Sequence, residues 1–367
     1  MKTTSKLIAQ AGIHKDVLRQ FFLSKTKSLP AKLQNYQMHE LMAMYLLSVD
    51  KPMALSELLG ISKAQLEQRI NRPFYHEYHI PKKKGGSRQI LAPGKTLKQV
   101  QSRLNQFLQA YYLCVKPDVV HGFVLHPPDN NSYCNIAENA RPHVGHQALL
   151  NLDLQDFFPS ISAPRVKQLF LSDYFQFSDL IATALALLCT YQRKLPVGSP
   201  VSPVISNFIC LEMDGDLLQF CKQEALTYTR YADDLSFSSP NEVKPEQIAA
   251  IRSVILRHGF VINEKKFRLT GKGRKQTVTG LVVNEKLNID RHLLKQIRAM
   301  LFDLQSKGID QAARKHFGLK EVSQKDGLRF IQRLEGFINF VGQIKGKSDA
   351  GYLKFKKEFD GVFEVLG

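Results

Sequence analysis

Two aspartates stand side by side in Tyr231-Ala232-Asp233-Asp234, within a β-type stretch that runs from Leu226 to Ser238. The pattern predicts two strands around a tight turn at Ala232-Asp233. Adjacent anions at a hairpin tip repel each other, and a divalent cation held on oxygen ligands relieves that repulsion. A surface turn rich in aspartate is the blander reading of the same residues. A second acidic segment sharpens the choice. In Asn151-Leu152-Asp153-Leu154-Gln155-Asp156-Phe157-Phe158, Asp153 ends an apolar strand running from Leu149 to Leu154, where an unpaired charge is expensive. If that strand lies beside the hairpin, Asp153, Asp233 and Asp234 converge. Two magnesium ions clamped there would suit in-line phosphoryl transfer, one activating the attacking hydroxyl and one neutralising the leaving pyrophosphate. Asp156 reads either as part of that group or as an acid at a helix N-terminus.

The charge balance agrees with a polyphosphate partner. Lysine and arginine number 51 against 33 aspartates and glutamates, a net +18. A surplus of that size repels itself unless something anionic neutralises it. Membrane and export roles are not expected: Met1 to Gly12 has no apolar signal core, and the longest apolar run, Leu180 to Cys189, is too short to span a bilayer and reads as a buried helix. The cysteines Cys114, Cys134, Cys189, Cys210 and Cys221 form no C-x-x-C pair. That argues against a disulfide framework or a zinc site and suits a reducing cytoplasm.

Residues 1–72 read as helical segments, with Ser62 a candidate N-cap and Leu55 to Ile70 better taken as a helical hairpin than as half of a helix-turn-helix. Phe74 to Pro93 predicts a β-hairpin around the basic glycine turn Lys82-Lys-Lys-Gly-Gly-Ser-Arg88. A helix is expected from Lys95 to Ala110, mostly helical chain from Val166 to Thr190, and one more helix from Ser202 to Cys221. A β segment follows from Gln276 to Asn284. Arg291 to Leu304 predicts an amphipathic helix with Leu293, Leu294, Ile297, Met300, Leu301 and Leu304 on one side. Interleaved helices and antiparallel strands point to an α+β fold.

In their order these motifs resemble those of reverse transcriptases of the bacterial retron type, from about Phe74 to Val341. Ile80-Pro-Lys-Lys-Lys-Gly-Gly-Ser-Arg-Gln-Ile-Leu-Ala-Pro93, with Leu97-Lys98 and Gln101, is similar to the first fingers motif. Leu152-Asp-Leu-Gln-Asp-Phe-Phe-Pro-Ser-Ile161 resembles the first palm motif, and Leu195-Pro-Val-Gly-Ser-Pro-Val-Ser-Pro-Val-Ile-Ser-Asn207 the template and nucleotide-binding motif. Tyr231-Ala-Asp-Asp234 and Asn263-Glu-Lys-Lys266 complete the palm set. Asn139-Ala-Arg-Pro-His143 and Val278-Thr-Gly280 resemble two motifs peculiar to retron enzymes.

The resemblance implies a right-hand polymerase architecture of fingers, palm and thumb, with an antiparallel palm sheet and an N-terminal helical segment. Its expected divisions are a helical extension over 1–72, fingers over 73–148 with part of 163–200, palm over 149–285, and a helical thumb and RNA-binding region over 286–367. It further implies that Asp153, Asp233 and the carbonyl of Leu154 bind two magnesium ions, with manganese as a substitute, and that Asp234 completes the acid cluster. Phe158 corresponds to the aromatic gate that packs on the sugar and disfavours ribonucleotides; Asp156 and Phe157 stand beside it in the nucleotide site. Arg88 and one of Lys82 to Lys84, Lys84 in the first place, would clamp the dNTP triphosphate. Lys266 is either a proton donor near the pyrophosphate or a lysine that only binds backbone. Val197 departs from the glutamine of many relatives and removes a polar contact to the nucleotide.

Asn139, His143, Val278, Thr279 and Gly280 are the expected RNA-recognition residues. The implied partner is a cognate structured noncoding RNA, copied from a guanosine 2′-hydroxyl into a branched RNA–DNA hybrid, in antiphage defence beside a separately encoded effector. An intron-like or abortive-infection polymerase with another priming mode, and an idle RNA-binding scaffold, stay open as rival readings.

Overall fold

The computed structural model describes residues 15–24, 33–81, 85–125 and 134–364. The chain divides into two units. The first takes the described residues up to Asn135, with Asn151–Ser236 and Lys244–Phe267; the second takes Ile136–Leu150, Phe237–Val243 and the described residues from Arg268 onward.

The first unit opens with short helices α1 (Lys15–Leu23), α2 (Met38–Leu47), α3 (Pro52–Leu59) and α4 (Lys63–Asn71). Gly60, left-handed at φ 69°, turns the chain between α3 and α4. Ser62 then caps α4 by accepting from the Gln65 N–H at 3.2 Å, giving the expected helical hairpin. β1 (Tyr75–Pro81) and β2 (Ser87–Pro93) pair antiparallel, from Tyr75↔Pro93 to Pro81↔Ser87. Helix α5 (Lys95–Val115) outruns its expected end at Ala110, because Leu97, Leu104, Leu108 and Tyr111 keep one face of it buried. Val166 to Thr190 resolves into α7 (Ala163–Leu171) and α8 (Asp179–Cys189).

The single helix expected from Ser202 to Cys221 is corrected to two, α9 (Ser202–Ile209) and α10 (Leu211–Gln223). They part at Cys210, whose φ of −85° and ψ of −5° leave the helical path. Rings of Phe170, Phe175, Phe208 and Tyr111 meet at 5.0 to 5.3 Å and knit α5, α7 and α9 together. Helix α11 (Pro245–Arg257) completes the unit.

A four-stranded sheet of β3 (Ala148–Asp153), β4 (Thr227–Tyr231), β5 (Asp234–Ser239) and β6 (Arg268–Gly271) has the order β4-β5-β3-β6. β3 runs antiparallel to β5, since the Leu154 N–H donates to Asp233 at one end and the Gln147 N–H to Ser239 at the other. The fold is α+β.

The second unit contains α6 (Ile136–Ala140), the two-residue strands β7 (Thr277–Val278) and β8 (Leu281–Val282), and the long helices α12 (Arg291–Phe317), α13 (Gln324–Lys345) and α14 (Ala350–Glu364). Ile297, Met300, Leu301 and Leu304 of α12 pack in one core with Phe330, Leu334 and Ile338 of α13. The amphipathic stripe is as expected, but α12 continues beyond Leu304 to Phe317 across a break at Gly308, φ 76° and ψ 173°. Buried Asp303 accepts from Lys307, Lys315 and His316 at 2.8, 2.6 and 2.9 Å, tying the two sides of that break. Among the described residues no helix is long and apolar enough to cross a membrane.

One close approach in the first unit fixes the β4–β5 hairpin from the side. Arg230 of β4 pairs in parallel with Val120, and a Cβ added at Gly122 would stand 2.3 Å from the Ala232 nitrogen. Only glycine fits there. Gly122→Ala is expected to lower the unfolding free energy by about 2 kcal/mol, read from the urea midpoint; an unchanged midpoint contradicts this packing.

Candidate active site

Backbone hydrogen bonds assemble the acids before any side chain takes part. At the end of β3 the Leu154 N–H donates to the Asp233 carbonyl at 3.0 Å, and the Asn263 N–H donates to the Asp153 carbonyl at 2.8 Å. The β4–β5 turn is made by Ala232 and Asp233, with Ala232 left-handed at φ 60°, and Asp234 is the first residue of β5. Strand pairing therefore sets Asp153 and Leu154 beside the two hairpin acids, as the sequence pattern required.

Asp153 is 4% exposed. Its Oδ2 accepts from Lys266 Nζ at 2.5 Å and its Oδ1 from Asn263 Nδ2 at 3.2 Å. The Asp233 carboxyl is held above the usual carboxylate range, by burial first and then by the charge of Asp153, against the pull of Lys266 and Arg88. Asp234 stays open to solvent on one side, yet enclosure by protein and then the charges of Asp233 and Asp153 push it up to about 7. Burial pulls the Lys266 ammonium down, but its hydrogen bond to Asp153 and the charges of all three acids outweigh that and raise it. Three carboxylates share one field, with one ammonium against them.

This donor chemistry fits divalent cations: crowded oxygen anions, two of which, Asp233 and Asp234, are held above the usual carboxylate range by burial and then by their acidic neighbours. The coordination shell is not preformed. Among the described residues no three acidic, histidine or cysteine side chains already stand as a metal-holding group. Both oxygens of Asp153 are taken, so Lys266 supplies the positive charge that a metal would bring.

Asp153 and Asp233 open onto a cleft of about 1080 Å³ lined also by Arg88, Asp156, Phe158 and Lys266, among others. Arg88 lies in the exposed first half of β2. Asp156 is exposed and left-handed at φ 46°, in the turn after β3 rather than at a helix N-terminus. Phe157 is buried against Phe260 at 5.7 Å, while half-buried Phe158 lies 5.6 Å from Phe123 at the cleft wall. The Val197 carbonyl accepts from the Leu91 N–H at 2.7 Å, joining that loop to β2. Lys84 lies outside the described residues.

The residues expected at an RNA surface gather elsewhere, in the second unit. Asn139, His143 and Val278 are buried, and His143 Nδ1 meets Ser238 Oγ at 2.6 Å. Thr279 and Gly280, at φ 47° and 84°, form the tight turn between β7 and β8. Thr279 Oγ1 donates to the Ile136 carbonyl at 3.0 Å, so the two motifs lean on each other. Sequence reading passed over Arg230 and Asp214 and had Asn207 only as the end of a motif; the three meet beneath the Ala232 turn. The signal available was an arginine inside a strand one residue before Tyr231.

Residues 80–283 match the family model for reverse transcriptase (RNA-dependent DNA polymerase). The retron Mx65 reverse transcriptase of Myxococcus xanthus is 34% identical over 268 residues, covering 66% of this chain and 60% of that protein. The retron Ec86 reverse transcriptase of Escherichia coli is 36% identical over 216 residues, covering 58% and 61%. The retron Ec73 reverse transcriptase of Escherichia coli is 30% identical over 259 residues, covering 64% and 76%. The chain thus spans about 60% of the length of the first two of these relatives.

A metal bound by these acids would have to compete with Lys266 for the charge of Asp153, so Lys266→Met should melt lower in EDTA yet gain more from added Mn2+ than the parent does, by a few degrees. Differential scanning calorimetry with and without MnCl2 reads both; equal gains contradict the competition.

Proposed function

The chain belongs to the bacterial retron-type reverse transcriptases, and on that footing we propose that it copies RNA into DNA at the cleft of Asp153, Asp233 and Asp234. The observation that carries this reading is the convergence of three carboxylates, from the end of β3 and from the β4–β5 hairpin, near Arg88 and Lys266. In it, Asp153, Asp233 and the Leu154 carbonyl would hold divalent ions, magnesium in the cell, with Asp234 completing the charge. Bound there, two such ions supply activation of the primer hydroxyl and neutralisation of the leaving pyrophosphate.

The chain's own groups do the rest. Arg88, with the lysines up to Lys84, takes the triphosphate oxygens, a task for which a planar guanidinium is suited. Phe158 packs on the sugar and excludes a 2′-hydroxyl, with Asp156 and Phe157 shaping its surroundings. Lys266, paired with Asp153 at 2.5 Å, would be the ammonium available to the pyrophosphate oxygens were a metal to take its place on that carboxylate. Val197 offers the nucleotide only backbone and an apolar wall. Fingers over 73–148 with part of 163–200, palm over 149–285 and thumb over 286–367 follow the family pattern, with 1–72 as an added helical segment.

The finer reading is a retron enzyme. Its template is a cognate structured noncoding RNA, its primer a guanosine 2′-hydroxyl within that RNA, its product a branched RNA–DNA hybrid. The retron relatives and the presence of both motif pairs support it. Because Asn139, His143 and Val278 are buried, they serve RNA through the backbone they fix, above all the exposed turn at Thr279-Gly280, rather than by their own side chains. A cytoplasmic place and a defence role beside a separate effector follow from the family reading.

Primer extension with Mg2+ tests the activity: Asp233→Asn should lose far more than the roughly 10- to 100-fold drop typical of outer-shell changes, and a wild type without synthesis sinks the enzyme. In the same preparation, copurifying nucleic acid should carry a 2′–5′ branch; only 3′–5′ linkages would remove the retron reading and leave the polymerase.

A further inference from the structure

The guanidinium of Arg230 is fully buried, at 0% exposure, among the largest wholly enclosed side chains of the molecule. A charge there is costly unless every donor is satisfied. Asp214, equally buried, meets half of it: Nε donates to Oδ1 at 2.8 Å and Nη2 to Oδ2 at 2.6 Å. Tyr228 adds a hydroxyl donor to Asp214 Oδ1 at 2.8 Å. If filling space were the whole task, two apolar side chains would do it as well or better.

The other end of the fork points at the turn. Arg230 Nη1 donates to the Ala232 carbonyl at 3.1 Å and to Asn207 Oδ1 at 3.0 Å. Asn207 passes the contact on, its Nδ2 donating to the Gly122 carbonyl at 3.0 Å. Gly122 in turn lies so close to the Ala232 nitrogen that no Cβ fits. The Arg230 backbone is held on that side too, its N–H donating to Val119 at 2.8 Å and its carbonyl accepting from His121 at 3.0 Å. Ala232 is thus gripped on its carbonyl side and its amide side, in a left-handed conformation that an alanine does not favour unaided. The next residue is Asp233.

We infer that Arg230 is a positioning residue for metal binding: neutralised by Asp214, its guanidinium holds the Ala232 carbonyl and so fixes the direction in which Asp233 presents its carboxylate. The inference rests on the polymerase reading only for its biological purpose. Charge cancels within the Arg230–Asp214 pair, so the effect on Asp233 is geometric. Lysine in place of Arg230 keeps the charge opposite Asp214 but has no second arm for Ala232 and Asn207.

The test uses the full chain without nucleotide. Arg230→Lys and the double variant Arg230→Met/Asp214→Leu are compared with the parent by thermal melting and by Mn2+ binding, followed as loss of the free-ion EPR signal. The expected result is folded protein in at least one variant, melting within several degrees of the parent, with Mn2+ bound about tenfold more weakly or worse. Primer extension should then need correspondingly more Mg2+, and excess Mg2+ should restore part of kcat. Parental Mn2+ affinity in either folded variant overturns the inference. Loss of the folded state in both assigns the cluster to stability alone and overturns it equally. A parent that binds Mn2+ yet makes no DNA sinks the polymerase reading while leaving the clamp intact.

Discussion

Like charges about 4 Å apart near a protein surface repel by about 4 kcal/mol, a large fraction of the few kcal/mol that keep a domain folded. This chain gathers three carboxylates at one point and arranges its surroundings to tolerate them. Burial, and then the neighbouring acids, hold Asp233 and Asp234 above the usual carboxylate range. The repulsion is answered locally by Lys266 on Asp153 and at longer reach by Arg88. A site that must be stabilised by a borrowed cation is already adapted to take up a stronger one.

The scaffold around that point resists relaxation. At the C-terminal end of β3 the Leu154 N–H bonds Asp233 and the Asn263 N–H bonds the Asp153 carbonyl, so Asp153 cannot turn away without breaking these bonds. Below the hairpin, the Arg230–Asp214 pair and the Asn207–Gly122 contact hold the turn from within the core. Preorganisation of this kind matters because a cation rewards oxygen atoms that are already in place and penalises those that must be moved.

Local chemistry made part of this legible from sequence. Acids at a hairpin tip and at the end of an apolar strand show in a window of a few residues, as do the Phe74 to Pro93 hairpin and the stripe from Leu293 to Leu304. The apolar pattern around Cys210 carries no signal for the break there. The run of α12 past Gly308 was not legible, because Asp303 binds Lys315 and His316 on the far side of that glycine. Arg230 was missed for the same reason: its meaning lies in Asp214 and Asn207, 16 and 23 positions earlier. Val278-Thr279-Gly280 was recognised as a motif, while its physical content, a left-handed two-residue turn tied to Ile136, needed coordinates. Lys84 falls outside the described residues, so the basic turn of the β1–β2 hairpin gains nothing beyond its sequence.

The central claim is that the oxygens of residues 153, 233 and 234 jointly receive divalent cations. Crystals grown with Mn2+ and a dNTP, measured at the manganese absorption edge, address it without reliance on activity. The account requires anomalous peaks bounded by Asp153, Asp233 and the Leu154 carbonyl, with the Lys266 ammonium moved off Asp153. Peaks confined to other surfaces, or a Lys266–Asp153 pair unchanged beside bound nucleotide, would contradict it.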